Sequence, residues 1–178
     1  MKLPPHEQLA DMVRNATLDV CSTMLGIEAT AQPFQLTGNM TGPQDGVFAT
    51  VGMAGRCTGT GTLTMNEALA CKLAGTFMMS EYDSVNGEVL DAIGEMANMV
   101  VGNVKTELEG LMGVIGLSIP TVVYGRNFRT KNLSKTEVVN ISFDCQGQEM
   151  TVSLSLNETE LAEEEVTSGF LQPHYVAG

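Results

Sequence analysis

The sequence predicts an α+β fold, a pseudo-symmetric domain of two halves in which long helices pack on one antiparallel or mixed sheet. Three observations carry this. Apolar residues recur at helical spacing in two separate stretches. The first holds Leu9, Met12, Val13, Ala16, Val20 and Met24, and the second Leu90, Ile93, Ala97, Val100, Val101, Val104, Leu108 and Leu111. Period-two alternation marks strand pairs near 47–65 and 138–156. A shift of 87 positions, Ala10 onto Ala97, also lays the chain on itself. Ala10-Asp11-Met12-Val13 falls on Ala97-Asn98-Met99-Val100, Gly26 on Gly113 and Pro33 on Pro120. One offset that aligns helix, stop and proline argues for duplication. The expected organisation is one domain over 1–178, with halves at about 6–65 and 84–157, a connector helix at 66–79 and an acidic tail at 158–178. Each half alone is too small to bury a good core.

In chain order, the first helix follows Pro4-Pro5 and stops at Gly26. Two strands, 47–54 and 58–65, flank Gly55-Arg56-Cys57, with Thr58, Thr60, Thr62 and Thr64 on one face. Asn66 is the expected N-cap of a short helix through Met79, because its side chain can accept an orphan backbone N–H. Asp83 or Ser84 opens a long helix to about Gly110. A strand from about Leu117 to Tyr124 follows, then a basic loop at 126–135 with Arg126, Arg129, Lys131 and Lys135. In the last hairpin Val139, Ile141, Phe143 and Cys145 share one face. Met150, Val152, Leu154 and Leu156 repeat the alternation across a Gln146-Gly147 turn. Glu158, Glu160, Glu163, Glu164 and Glu165 make the tail a solvated helix or a frayed end.

Composition narrows the function classes. Asp plus Glu is 21 against 9 Lys plus Arg, a formal charge of −12, which repels phosphate backbones and anionic lipid. No nucleic-acid or membrane partner is expected. The run 110–125 is uncharged but holds Pro120 and four glycines, and is shorter than the roughly 20 apolar residues a span needs. The first residues lack the apolar stretch of a secretory signal, so the expected location is cytoplasmic and the four cysteines are expected as reduced thiols. With Cys21, Cys57, Cys71 and Cys145 far apart and only His6 and His174, no metal constellation forms from near neighbours.

The chemistry is concentrated on the long helix. At about 100° per residue, Asp91, Glu95, Asn98, Gly102, Lys105 and Glu109 line the side opposite the apolar stripe. Glu95 and Asn98, three apart, project as neighbours. Gly94 and Gly102 are unfavourable in a helix interior by roughly 1 kcal/mol each, and their lack of side-chain bulk admits a close neighbour. Periodicity alone describes an amphipathic helix with a solvated polar face.

Asp91-x-x-x-Glu95-x-x-Asn98, with Pro120 farther on, resembles the signature of the CheC, CheX and FliY chemotaxis phosphatases. The block from Gly94 to Asn103 and the strand Ile119-Pro120-Thr121-Val122-Val123 look most like CheX. The likeness extends over most of the chain in element order. The interval from Asn98 to Pro120 is one residue short of the family spacing.

The resemblance implies a phosphatase that hydrolyses the aspartyl phosphate of a CheY-type response regulator, with Asn98 aiming the water and Glu95 docking the regulator's lysine. Asp91, Gly94, Met96, Met99 and Gly102 are the expected partner-facing positions, Asp91 mainly orienting the helix. Any Mg²⁺ belongs to the regulator, the chain holding no cofactor of its own, and a homodimer is expected. The first half has Gln8 and Asp11 where the second has Glu95 and Asn98. A carboxylate there cannot donate a hydrogen bond and is repelled by phosphate, so one site is expected, the second.

Two other readings stand beside this one. A fold of the same kind could dock a regulator or flagellar-switch partner without hydrolysis. A carboxylate-pair hydrolase using Asp91 and Glu95 is weaker, because no acid/base partner stands opposite them.

Overall fold

The computed structural model describes residues 2–38, 44–130 and 137–159. Helix α1, His6–Thr23, begins after Pro5, whose fixed φ of −57° suits a helix entrance, and Gly26 ends the turn beyond it at φ +62°. Short strands β1, Ala29–Ala31, and β2, Gln35–Thr37, follow. Strands β3, Gln44–Gly55, and β4, Cys57–Met65, form a hairpin, and helix α2, Glu67–Met78, is capped by the Asn66 side chain accepting the Leu69 N–H. Helix α3 runs Gly87–Met112. Its cap is Asn86, not Asp83 or Ser84, because the Asn86 Oδ1 accepts the Val89 N–H at 3.0 Å. The Tyr82 hydroxyl donates to Glu88 at 2.9 Å, which turns 82–86 back on the first helical turn.

The region expected as one strand at 117–124 is two: β5, Ile115–Leu117, and β6, Thr121–Phe128. Arg126 lies within β6 and Arg129 just after it; Lys131 and Lys135 lie outside the described residues. Strands β7, Val138–Cys145, and β8, Glu149–Glu158, close the chain's described part. Gln146 and Gly147 turn between them at φ +59° and +83°, the positive pair a two-residue hairpin requires. Glu158 belongs to β8 and accepts the Leu3 N–H at 3.0 Å, while 160–178 lie outside the described residues.

The sheet order is β1-β7-β8-β4-β3-β5, with β2 also on β7 and β6 also on β3, and every pairing is antiparallel. The order is symmetric about the central β4–β8 pair. The halves exchange edges: β1 and β2 pair with β7, while β5 and β6 pair with β3. Neither half could close its own sheet edge alone.

Inward residues such as Val47, Ala49, Val51, Leu63, Ile141, Phe143 and Val152 join α1 and α3 in one core. The other sheet face carries hydroxyls, among them Thr50, Thr62, Ser142 and Thr151, which hydrogen-bond across strands. This is the alternation expected of an antiparallel sheet covered on one side. All four cysteines are buried thiols. Among the described residues no helix is long and apolar enough to cross a membrane.

Candidate active site

Helix α3 packs on α1, on α2 and on the sheet, so its buried arc is wider than the stripe read from periodicity. Val89, Ala92, Met96 and Met112 are buried in addition, whereas Leu111 is half exposed. The remaining surface is a narrow ridge. Asp91 and Glu95 are exposed on it, and Asn98, Met99 and Gly102 are partly exposed. Met96 corrects the expectation: it is 1% exposed, inside the core, and cannot reach a partner. Met99 packs against the core and leaves only part of its side chain at the surface.

The two helix glycines differ in purpose. A Cβ on Gly94 would lie 3.1 Å from Val122 Cγ2 and 3.6 Å from Pro120 Cβ, so the start of β6 lies tightly against this turn. A Cβ on Gly102 would meet only Leu117 Cδ1, at 4.0 Å. The β5–β6 segment therefore runs along α3 from Gly102 to Gly94, past the turn that carries Asn98.

Neither the Glu95 carboxylate nor the Asn98 amide has a hydrogen-bond or ion-pair partner among the described residues. An amide offers both donor and acceptor, a carboxylate only acceptors. The equivalent face of α1 is different. Gln8 and Asp11 are exposed there, and Asp11 is held in an ion pair by Arg14. Open clefts among the described residues follow α2, lined by Cys71, Lys72, Tyr82 and Asp83, and neither includes Glu95 or Asn98. With Asp91 and Glu95 exposed and Asn98 partly exposed along one helix face, the site is a ridge suited to meeting a partner protein's surface. Burial pushes the Cys57 and Cys71 thiols up, away from nucleophilic thiolate. Among the described residues no group of three or more His, Cys, Asp or Glu is placed to hold a metal ion.

The far end of the ridge is tied down by a residue that periodicity marked only as polar. Glu109 accepts the Ile115 N–H at 2.8 Å and pairs with Lys105 Nζ at 2.8 Å, joining the end of α3 to β5. The Ile115 N–H, then Lys105, hold the Glu109 carboxyl below its usual 4.5. A depressed carboxyl stabilises the fold above its unfolded value, and that contribution is lost as pH falls through the folded value. Calorimetry of wild type and Glu109→Gln should therefore show a higher melting midpoint for wild type at neutral pH. The gap should close on acidification below about pH 4.5. A gap constant with pH would remove Glu109's charge from this role.

The family described as chemotaxis phosphatase CheX matches residues 47–144, more than half of the chain, including all of α3 and the β5–β6 segment. The chain belongs to this family. The CheY-P phosphatase CheX of Thermotoga maritima is 29% identical over 110 residues, 61% of this chain and 70% of that protein. The crystal structure of the chemotaxis protein CheX from Desulfovibrio desulfuricans superposes with a TM-score of 0.76 at 24% identity, covering 84% of this chain and 99% of that one. The CheX chain in the CheX–CheY–BeF3–Mg²⁺ complex from Borrelia burgdorferi gives 0.73 at 24% identity, covering 83% and 97%. The CheX-like α+β fold expected from the sequence is the fold observed.

Proposed function

We propose that this CheX-family chain hydrolyses the aspartyl phosphate of a CheY-type response regulator. The observation that carries the reading is the Glu95–Asn98 pair, Glu95 exposed and Asn98 partly exposed, without a partner among the described residues and set on a helix packed against α1, α2 and the sheet. Its relatives support it: the Thermotoga protein is named a CheY-P phosphatase, and the Borrelia complex holds CheY with BeF3 and Mg²⁺.

Phosphoryl transfer needs positioning and charge neutralisation more than covalent chemistry from the protein. In the proposed mechanism the ridge enters the regulator's phosphorylation site. The Asn98 carbonyl accepts a hydrogen bond from a water and its amino group donates to a phosphoryl oxygen, which aligns the water with the scissile bond. The water oxygen forms a bond to phosphorus as the bond to the aspartate oxygen breaks. The aspartate leaves as carboxylate, the water's proton passes to the departing phosphate, and inorganic phosphate is released. Glu95 pairs with the regulator's active-site lysine and fixes register. Mg²⁺ is assigned to the regulator, and Asp91 orients the ridge. The protein acts in the cytoplasm as a homodimer in this reading.

The test is the lifetime of phosphorylated receivers from the same organism, with and without the protein. Shortened lifetimes are expected. Binding of a receiver without any shortening would make the chain a docking module. Glu95→Ala should raise the KM for phosphorylated receiver about 10-fold or more, because a charge-assisted contact is removed and a buried lysine is left unpaired. A KM equal to wild type would take Glu95 out of docking.

A further inference from the structure

The sheet carries two bulges of the same form, one on each outer side. Between the pairs Met53↔Leu117 and Thr50↔Thr121, β3 supplies Val51 and Gly52 against three residues, Ser118, Ile119 and Pro120. Between Ala31↔Phe143 and Gln35↔Asn140, β7 supplies Ile141 and Ser142 against Gln32, Pro33 and Phe34. A bulge leaves a residue unpaired and re-aims its side chain. By register Ser118 matches Gln32, Ile119 matches Pro33 and Pro120 matches Phe34, one residue off the helix offset, and the Ser118 N–H to Gly52 hydrogen bond has its counterpart in Gln32 N–H to Ser142.

One backbone device thus carries two different side chains. At the middle position Pro33 belongs to the half whose helix has Asp11 paired with Arg14. The isoleucine belongs to the half whose Glu95 and Asn98 have no described partner, and it is 86% exposed.

Ile119 is displayed on a fastened backbone. The Ser118 N–H donates to the Gly52 carbonyl at 2.9 Å, the Gly52 N–H donates to the Ser118 hydroxyl oxygen at 2.8 Å, and that hydroxyl donates to the Ile119 carbonyl at 2.8 Å. Its position follows from its neighbours. Leu117 lies by Gly102, Pro120 and Val122 by Gly94, and Asn98 is midway between those glycines on α3. Ile119 therefore stands beside the turn that carries Asn98. An apolar side chain held rigidly in water adds nothing to the fold, but it loses little entropy on burial against a partner.

We infer that Ile119 is the apolar anchor by which the ridge docks its receiver, seating in an apolar surface beside the phosphorylated aspartate. The inference rests on the function proposed above and names what else the partner must offer. Ile119 touches no reacting atom; it governs affinity and register, and Asn98 governs the chemical step.

The experiment titrates the full chain with beryllofluoride- and Mg²⁺-activated receivers from the same organism, and follows phosphate loss from phosphorylated receiver. The variants are Ile119→Gln, which replaces the apolar end by an amide, Ile119→Leu, and Gln32→Ala on the other bulge. Ile119→Gln is expected to weaken binding about 10-fold or more and raise KM to match, with kcat and melting midpoint unchanged. Ile119→Leu should come within threefold of wild type, and Gln32→Ala should bind as wild type. Ile119→Gln binding within twofold of wild type, or a fall in kcat at unchanged affinity, would overturn the anchor. If Ile119→Gln weakens binding but wild type never shortens the phosphate's lifetime, the anchor stands and the phosphatase reading fails. If wild type binds no activated receiver, both fall.

Discussion

Asn98→Ala is expected to lower the rate of phosphate loss at saturating receiver about 100-fold or more, while receiver affinity stays within about threefold. The size follows from the role. A single preorganised hydrogen-bonding group at a reacting centre is worth about 10²–10³ in rate, and a misplaced attacking atom costs a similar factor. The amide has no hydrogen-bond partner among the described residues, so its removal leaves no orphaned group there and the melting midpoint should not move. Asn98→Asp should be as inactive as Asn98→Ala. It keeps the shape but loses the donor and brings a negative charge toward phosphate. The chain contains a natural version of that substitution at Asp11, where Arg14 occupies the carboxylate. Single-turnover decay of phosphorylated receiver separates the cases. Equal decay with wild type and Asn98→Ala would place the chemistry elsewhere or nowhere on this chain.

Gly61→Val is expected to destabilise the fold by about 3 kcal/mol, near the upper end for overpacking. Gly61 sits in β4 between Val51 and Leu154, against Val101 of α3. A Cβ there would fall 2.4 Å from Val101 Cγ2 and 3.1 Å from its Cγ1. Val101 cannot swing aside, because a β-branched side chain in a helix has essentially one rotamer. The helix or the strand must move. Against a total stability of about 5–15 kcal/mol the loss is large, and urea unfolding of the whole chain measures it. The companion change Val101→Ala should restore part of the loss in the double variant, a coupling that independent sites would lack. A Gly61→Val chain within 1 kcal/mol of wild type would mean that this close approach is not what seats α3. Because Val101 is on the same helix as Asn98, the displaced helix should also lose hydrolysis at temperatures where the variant remains folded.

Much of the fold was legible in local pattern. Apolar spacing found α1 and α3, Asn66 gave the cap of α2, and the strict alternation of 138–156 with Gln146-Gly147 located the last hairpin. Each is a short-range signal, readable because one face of each element meets the core and the other meets water. The strand that the repeat implies near Pro33 is there but split into β1 and β2, whose three residues each are too few to show a period of their own. The α3 cap was misplaced because Asp83, Ser84 and Asn86 are all good N-cap residues, and only the Asn86 hydrogen bond to Val89 distinguishes them. The break between β5 and β6 had a visible sign, Pro120, which cannot donate to a ladder and belongs at edges and bulges.

The candidate site divides along the same line. By itself the sequence determined the helix, the spacing that sets Glu95 beside Asn98, the family likeness and the asymmetry between Asn98 and Asp11, since all of these are properties of residue identity and interval. Tertiary structure decided what each position can reach. Met96 was drawn into the core because α1, α2 and the sheet together bury a wider arc than one stripe. Gly94 was shown to make room for Pro120 and Val122, and Ile119 was turned outward by a bulge whose extra residue exists only relative to β3. Burial and register are relations between distant segments, and no single stretch of chain contains them.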